Sequence, residues 1–284
     1  MSGTRERLLA LEGRKGRRPI VMLTAYDAPG AALAAEAGVD VLLVGDSAAT
    51  VVLGYGSTRD ISLDELLVLA RAVRRGAPAL PVIGDMPLGT YEESDALAVA
   101  SARRFADEAG CDGVKLEGAG PIVERVREIV AAGIPVVGHV GLLPQAALTD
   151  ADFRAKGRSA AEAVRIVREG EALDRAGITL LVAEAVPPRV GAALAARVRV
   201  PVIGIGAGAD VDGQVLVFHD LLGLTAGHMP KFARRYAELR ETAVSAIRRW
   251  IDDVVKKKFP SETEVYGMPA EEAARFDELL DGER

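Results

Sequence analysis

The sequence of 284 residues is poor in cysteine, and this scarcity excludes several kinds of site. Cys111 is the single cysteine, so the chain can form neither an internal disulfide framework nor a zinc site built from several cysteines. The three histidines, His139, His219 and His228, are scattered along the sequence, which makes a zinc site less expected still. One thiol in a chain of this length fits a reducing compartment, and we predict a cytoplasmic protein.

Long apolar runs and an excess of positive charge are also missing. No run of about 18 apolar residues occurs, so we expect no membrane-spanning helix. The first twenty residues are basic but lack the apolar stretch of a signal peptide, and we expect none. The formal net charge of −6 argues against binding to nucleic acid. We therefore predict small-molecule partners, with no nucleic acid and no membrane.

The sequence is rich, by contrast, in one repeated pattern of short apolar runs separated by longer alanine-rich amphipathic segments. The runs lie at 19–26, 39–46, 80–86, 112–118, 134–140, 178–185, 200–208 and 221–227, and the clearest helical segments lie at 28–38, 93–110 and 121–133. Several helical segments end in glycine, which is common just after the end of a helix. Continuous apolar strands alternating with helices are typical of a parallel sheet buried on both faces. Eight such units predict an α/β fold, a single (β/α)8 TIM barrel.

The chain continues beyond the predicted barrel strands. Residues 232–258 predict one or two long amphipathic helices, and 269–280 predict a short one. The fold is thus predicted as a barrel with extra C-terminal helices, in which residues 1–260 form the barrel catalytic domain and 261–284 a polar, acidic tail. The sequence leaves open whether this tail folds over the barrel, joins a contact between subunits, or is loose.

Ionisable residues stand at the ends of five successive predicted strands. Strands two and three end at Asp46 and Asp85, strand four carries both Lys115 and Glu117, and strands five and six carry His139 and Glu184. A single residue of this kind could cap a helix or be satisfied inside the core. Five strands in a row are harder to explain structurally, because burying charges without partners costs several kcal/mol each. In a barrel the carboxyl ends of the strands meet at one face, so we predict one shared site there.

The residue types at these strand ends narrow the chemistry. Three carboxylates, Asp46, Asp85 and Glu117, suit a hard divalent cation, most often magnesium. Lys115 precedes Glu117 by two residues and should point to the same side of the strand, where it could neutralise the acids or hold an anionic substrate. Glu184 lies in an apolar setting, which raises the proton affinity of a carboxylate and suits a general base. His139 could donate a hydrogen bond, shuttle a proton, or simply be a satisfied core histidine.

Seven segments of the sequence, in order and at consistent spacing, are similar to one known family. They are MLTAYDAP (22–29), LLVGDSAATVVLGYGST (42–58), VKLEG (114–118), GHVGLLPQ (138–145), PVIGIGAG (201–208), DGQVLVFHDLLGL (212–224) and PKFARRY (230–236). From about residue 4 to about residue 268 the chain resembles the ketopantoate hydroxymethyltransferases, also called 3-methyl-2-oxobutanoate hydroxymethyltransferases. The resemblance implies a (β/α)8 barrel enzyme of pantothenate biosynthesis. Such an enzyme moves a one-carbon unit from 5,10-methylenetetrahydrofolate to 3-methyl-2-oxobutanoate and so forms 2-dehydropantoate.

The resemblance also implies roles for individual residues and an assembly. It implies magnesium ligands at Asp46, Asp85 and Glu117, substrate contacts at Asp46, Ser47, Asp85 and Lys115, and a proton acceptor at Glu184. We add His139 to the predicted substrate-binding residues. Members of the family are often decamers, so we expect a homo-oligomer.

Several positions depart from the family pattern. Gly56 stands where the family usually has aspartate, Leu88 where it often has phenylalanine, and Leu143 where it has threonine, while the loop 151–159 differs in composition. These departures leave open a paralogue with another 2-oxo acid or one-carbon donor.

Two further hypotheses come from other classes of protein. One is a carbon–carbon lyase of the phosphoenolpyruvate mutase and isocitrate lyase group, and the second is an inactive barrel that only binds ligands. Against the lyase, Cys111 is misplaced for the reactive cysteine of that group. Against the inactive barrel, every strand-end acid is present.

Overall fold

The computed structural model describes residues 3–149, 152–225 and 229–282. Its contacts divide the chain into two compact units, one that ends at Ala237 and one that begins at Glu238. The boundary predicted at residue 260 lies inside the second unit, and the proposed division into a catalytic domain and a tail stays a prediction. His228 lies outside the described residues.

The first unit contains a closed barrel of eight parallel strands in the order of the sequence, which confirms the predicted (β/α)8 fold. The strands are β1 Ile20–Thr24, β2 Val41–Val44, β3 Val82–Asp85, β4 Gly113–Glu117, β5 Val136–Gly141, β6 Leu180–Glu184, β7 Val202–Ile205 and β8 Gly213–Leu216. Each of the first seven lies within its predicted apolar run, except that β5 extends one residue beyond it, to Gly141. Strands such as β2, β3 and β4 are buried on both faces, which is why they appear in the sequence as continuous apolar runs.

The prediction for the eighth strand was wrong. We expected it at 221–227, but β8 lies at Gly213–Leu216 and pairs with β7 and β1. Leu221 instead ends a short helix, and residues 226 and 227 of the predicted run lie outside the described residues. We missed this strand because it is only four residues long and contains the exposed, polar Gln214, so it is not a continuous apolar run. It also follows β7 after only a short connection rather than a helix.

Helices in the first unit surround the barrel or lie at its ends. They are α1 Gly3–Ala10, α2 Ala28–Glu36, α3 Ala48–Val51, α4 Leu63–Gly76, α5 Asp95–Ala109, α6 Ile122–Ala131, α7 Ala160–Ala176, α8 Pro188–Arg197 and α9 Phe218–Leu221. The helices predicted at 28–38, 93–110 and 121–133 are confirmed. Gly110 and Gly177 follow α5 and α7 with φ angles of 68° and 94°, a left-handed conformation in which glycine avoids steric cost.

The second unit contains α10 Leu239–Val255 and α11 Ala270–Gly282. The first is a single helix within the predicted 232–258, and the second matches the helix predicted at 269–280. None of the helices in the described part of the chain combines the length and apolar character needed to cross a bilayer.

Apolar side chains fill the inside of the barrel and close its amino end. The interior cluster comprises Ile20, Met22, Val41, Leu43, Ile83, Val137, Leu180, Val182, Ile203, Ile205 and Val215. Leu8 of α1 and Leu11 just after it join the same cluster and are almost fully buried. The packed interior is typical of TIM barrels, in which polar groups collect beyond the carboxyl ends of the strands.

Three aspartates at the amino end of the barrel each precede a strand and hold the neighbouring strand. Asp40, Asp112 and Asp212 accept hydrogen bonds from the backbone N–H groups of Val21, Val82 and Val202, and pair with Arg14, Arg74 and Lys15, respectively. Thr179 stands at the corresponding place before β6, and its backbone N–H donates to Val136. Every acid of this trio therefore has its own base.

Candidate active site

A cavity of about 860 Å3 opens at the carboxyl end of the barrel. All the predicted site residues line it, namely Asp46, Ser47, Asp85, Lys115, Glu117, His139 and Glu184. Asp85, Glu117 and Glu184 are the last residues of their strands, so strand ends far apart in the sequence deliver their side chains to one place. The predicted convergence of these side chains is therefore present, while their individual roles stay predictions.

Lys115 lies at the centre of the cluster. Its Nζ is 2.9 Å from Asp85 Oδ1, 3.6 Å from Glu117 Oε1 and 3.4 Å from His139 Nδ1. Burial lowers the pKa of Lys115, but the charges of Asp85, Glu117 and Asp46 outweigh it and raise the pKa above its usual range. The lysine is thus held protonated, and it neutralises part of the surrounding acid charge.

The pKa values of the three acids around Lys115 are shifted in different directions. Burial, Asp85 and Glu117 raise the pKa of Asp46 well above its usual value. Burial also raises the pKa of Asp85, against the opposing effect of Lys115. The pKa of Glu117 is lowered, because Lys115 and His139 together outweigh the effect of burial. Burial and mutual repulsion thus disfavour the charged forms of Asp46 and Asp85, and a further cation bound beside them would stabilise those forms.

His139 connects the central cluster to Glu184. Its Nδ1 is 3.4 Å from Glu117 Oε1, and its Nε2 is 3.3 Å from Glu184 Oε2. Burial and Lys115 lower the pKa of His139, but its contacts with Glu117 and Glu184 prevail and raise the pKa to about 9. The sequence presented Glu184 as isolated, whereas the fold places it beside the ring of His139, with 15% of its side chain exposed to the cavity.

Ser47 is oriented by a residue that the sequence reasoning missed. The hydroxyl groups of Ser47 and Tyr26 share a hydrogen bond of 2.8 Å. Tyr26 is buried, and burial is the main cause of a pKa raised far above its usual value, so the phenol stays protonated. Tyr26 follows β1 inside the segment 22–29 that carries the family resemblance, and that membership was the available signal.

Sequence reasoning also missed two buried residues beside the acids. Gln145 Nε2 donates to Asp46 Oδ2 over 3.0 Å, and the backbone N–H of Gln145 donates to Glu117 Oε2 over 3.0 Å. Tyr91 donates its hydroxyl hydrogen to Gln145 Oε1 over 2.6 Å. Gln145 is the last residue of the segment 138–145, which resembles the family, but neither residue carries a charge that would have drawn attention to it.

The acid cluster fits a divalent cation in its chemistry. Asp46, Asp85 and Glu117 offer the carboxylate oxygens that magnesium prefers, and Asp85 Oδ1 and Glu117 Oε1 face the side chains of Lys115 and His139 inside the cluster. Within the described ranges, no group of three His, Cys, Asp or Glu side chains has the spacing of a metal site. The ammonium of Lys115 lies between the acids instead. Donor type and charge therefore fit magnesium.

One of the sequence departures from the family reaches the cavity. Gly56 is exposed, and a side-chain carbon at that position would meet no atom within 4 Å. Leu88 and Leu143 are half-buried outside the cavity lining. Phe153 and Arg154 of the divergent loop do line the cavity. Any change in ligand preference is therefore better sought in this loop than at Gly56.

Cys111 lies far from this chemistry. It directly precedes Asp112 at the amino end of the barrel and is buried. Burial raises the pKa of its thiol to about 12, which suppresses the thiolate form. The cysteine therefore behaves as a small packed residue and not as a nucleophile.

Comparison with known sequences identifies close relatives over nearly the whole chain. The family model for ketopantoate hydroxymethyltransferase matches residues 5–262. The 3-methyl-2-oxobutanoate hydroxymethyltransferase of Oleidesulfovibrio alaskensis is 46% identical over 272 residues, which cover 96% of this chain and 94% of the relative. The enzyme of the same name from Moorella thermoacetica is 48% identical over 248 residues, covering 87% of this chain and 92% of the relative.

Solved structures share the fold at much lower sequence identity. A phosphonopyruvate hydrolase in complex with oxalate and Mg2+ is 14% identical with a TM-score of 0.62, covering 98% of this chain and 97% of that one. A phosphoenolpyruvate phosphomutase from Streptomyces platensis is 18% identical with a TM-score of 0.61, covering 98% of each chain. These similarities extend to the barrel architecture.

Proposed function

The chain belongs to the ketopantoate hydroxymethyltransferase family, and from this premise we propose that it converts 3-methyl-2-oxobutanoate to 2-dehydropantoate. The one-carbon donor in this proposal is 5,10-methylenetetrahydrofolate, and the cation is magnesium. The observation that carries the proposal is the buried group of Asp46, Asp85, Lys115 and Glu117, with Glu184 at its edge, in a chain 46% identical to an enzyme of that name.

We assign Asp46, Asp85 and Glu117 to hold magnesium. The burial of these three carboxyl groups around a single lysine supports this assignment. When bound, the cation would stabilise the negative charge that develops on the keto oxygen of the substrate. We assign Lys115, kept protonated by the same acids, to bind the anionic substrate and to limit repulsion within the cluster.

Glu184 is assigned to accept the proton from the carbon next to the substrate carbonyl. It is the last residue of β6, it lines the cavity, and its side chain is more exposed than those of Asp85 and Glu117. The imidazole of His139, 3.3 Å away, orients the carboxylate. A base positioned in this way contributes roughly 10²–10⁴-fold to a proton transfer.

The size and lining of the cavity support a second, larger substrate beside the keto acid. Drug-sized ligands occupy cavities of roughly 300–1,000 Å3, and this one measures about 860 Å3. Phe153 and Phe232 contribute aromatic rings to the lining, and Arg154 and Lys231 contribute positive charge. Aromatic faces with nearby cations suit a flat heteroaromatic ring that carries carboxylates, as a folate does.

The test is an assay of the purified full chain with both substrates and magnesium, followed by NMR of the products. We expect 2-dehydropantoate to form with magnesium and to disappear when a chelator removes the metal. No product under these conditions would contradict the proposal. Release of pyruvate or glyoxylate from a hydroxy diacid would instead favour the carbon–carbon lyase, and turnover of another 2-oxo acid would favour a paralogue.

Assembly and location form part of the same proposal. By resemblance to the family we propose a homo-oligomer, with a decamer as the expected size, in the cytoplasm. Analytical ultracentrifugation of the full chain would measure the assembly, and a monomer at micromolar concentration would contradict it.

A further inference from the structure

Gln145 lies in the short 3-10 helix Pro144–Ala146 that follows β5, and only 2% of its surface is exposed. Its side chain makes three hydrogen bonds. Nε2 donates to Asp46 Oδ2 and to the carbonyl oxygen of Met86, both over 3.0 Å, and Oε1 accepts from the hydroxyl of Tyr91 over 2.6 Å. Both amide hydrogens and the carbonyl oxygen are therefore engaged.

These partners leave the amide one orientation. Turning it over would place Oε1 against Asp46 Oδ2 and the Met86 carbonyl, so that acceptor oxygens would face each other without hydrogens between them. Buried polar groups left unpaired in this way cost about 1–3 kcal/mol each. The network therefore holds the carboxylate of Asp46 in one position.

The backbone of Gln145 binds a second acid of the cluster, Glu117. Its N–H donates to Glu117 Oε2 over 3.0 Å, and its carbonyl oxygen accepts from Arg59 Nη1 over 2.8 Å. Gln145 thus connects Asp46, which follows β2, to Glu117, which ends β4. Arg59, from the short 3-10 helix Thr58–Asp60 that precedes α4, holds the backbone of Gln145 from outside the cluster.

We infer that Gln145 is a positioning residue, whose amide holds Asp46 in register with Glu117 and thereby sets the affinity of the site for its divalent cation. This inference rests on the magnesium site of the proposed function. Residues that orient metal ligands through hydrogen bonds commonly change metal affinity or activity by roughly 10–100-fold when they are replaced. Gln145 touches neither Glu184 nor Lys115 in this network, so the effect should fall on cation binding more than on proton transfer.

The test compares Gln145→Leu with Gln214→Leu in the full-length protein. Leucine keeps most of the volume and removes every side-chain hydrogen bond, while the backbone bond to Glu117 remains. Gln214 is the matched control, because it also donates to a backbone carbonyl, that of Gly208 over 2.9 Å, but lies on the outer surface of β8. Magnesium dissociation constants are measured by calorimetry without substrate, after circular dichroism and thermal melting confirm that each variant is folded.

We expect Gln145→Leu to raise the magnesium dissociation constant by about 10–100-fold and Gln214→Leu to leave it within about twofold of the parent. Saturating magnesium should restore most of the kcat of Gln145→Leu, which a general loss of structure would not allow. Gln145→Asn, which retains a shorter amide, should give a smaller increase, and it decides the question if the leucine variant does not fold.

The outcomes separate this inference from the proposed function. Magnesium binding that Gln145→Leu leaves unchanged, or that Gln214→Leu weakens equally, overturns the inference. Should only Gln145→Asn fold, an unchanged dissociation constant in that variant overturns it too. Absence of magnesium binding by the parent protein overturns both proposals. Weakened binding in Gln145→Leu, in a parent that forms no 2-dehydropantoate, supports the inference and overturns only the assigned reaction.

Discussion

The two ends of the barrel use acidic residues in opposite ways. At the amino end, Asp40, Asp112 and Asp212 each have a basic partner and a backbone N–H from the neighbouring strand. At the carboxyl end, by contrast, Asp46, Asp85, Glu117 and Glu184 share one lysine and one histidine. The balance of charge around an aspartate, and not its presence next to a strand, therefore separates a stabilising contact from a binding site.

The electrostatics at the two ends follow from this difference. Arg14 and the backbone N–H of Val21 outweigh burial and lower the pKa of Asp40, so the charged form stabilises the fold. Burial and the charges of Asp85 and Glu117 raise the pKa of Asp46, so its charged form is unfavourable unless a cation binds beside it. Active sites commonly retain such unfavourable groups at some expense of stability.

The largest expected effect comes from the base at the carboxyl end. Replacing Glu184 with glutamine should lower kcat by about 10²–10⁴-fold, because the amide cannot accept the substrate proton. The free energy of unfolding should change by less than about 1 kcal/mol. Steady-state kinetics and urea denaturation measure the two quantities. The control is Glu171→Gln on α7, where the glutamate pairs with Arg197; this variant should leave kcat unchanged. A kcat of Glu184→Gln within about tenfold of the parent would show that Glu184 is not the base.

The next effect belongs to the amino end and should appear in stability alone. Asp112 is buried and accepts hydrogen bonds from Thr4, Arg74 and the backbone of Val82. Asp112→Asn should lower the free energy of unfolding by about 2–4 kcal/mol, because it removes the negative partner of Arg74. Urea denaturation measures the loss, and kcat/KM of the folded fraction should not change. A variant with normal stability and reduced kcat/KM would contradict the view that the acids at the amino end serve stability alone.

Asp46→Asn should change stability in the other direction. In the presence of a chelator, we expect the free energy of unfolding to rise by about 0.5–2 kcal/mol, since the substitution removes repulsion from Asp85 and Glu117. Magnesium binding should be lost in the same variant, as calorimetry can measure. A fall in stability of the metal-free protein would show that Asp46 contributes to folding as the amino-end acids do.

The smallest effect is a pH dependence at the amino end. Because the pKa of Asp40 is lower in the folded chain than in the unfolded one, the unfolded chain binds more protons as the pH falls. Its contribution is therefore complete above the unfolded pKa of about 3.9 and is lost as the pH falls through the folded pKa. Comparing Asp40→Asn with the parent by urea denaturation should show a gap of at most about 1 kcal/mol at pH 7, which shrinks near pH 3. A gap that is the same at both pH values would contradict this account.

Much of the site was predictable, because the ends of the barrel strands are marked in the sequence by ionisable residues. Asp46, Asp85, Glu117, His139 and Glu184 interrupt continuous apolar runs, and a polar residue at such a place stands out in a sequence. Gln145 and Tyr26 did not stand out, because neutral polar residues in loops are common. Gln145 bonds to Asp46, which lies 99 residues away, and no local pattern encodes that pairing.

Local sequence patterns were enough to predict the barrel class, seven of its strands and the face where the ionisable groups meet. The physical reason is that burial on both faces of a parallel strand demands a continuous apolar run, which local composition records. The position of β8 became clear only in the folded chain, because the exposed Gln214 interrupts its apolar run. The folded chain also shows which acids have their own bases. Charge balance depends on residues distant in sequence, as when Lys115 comes between Asp85 and Glu117, while Asp112 meets Arg74 at the opposite end.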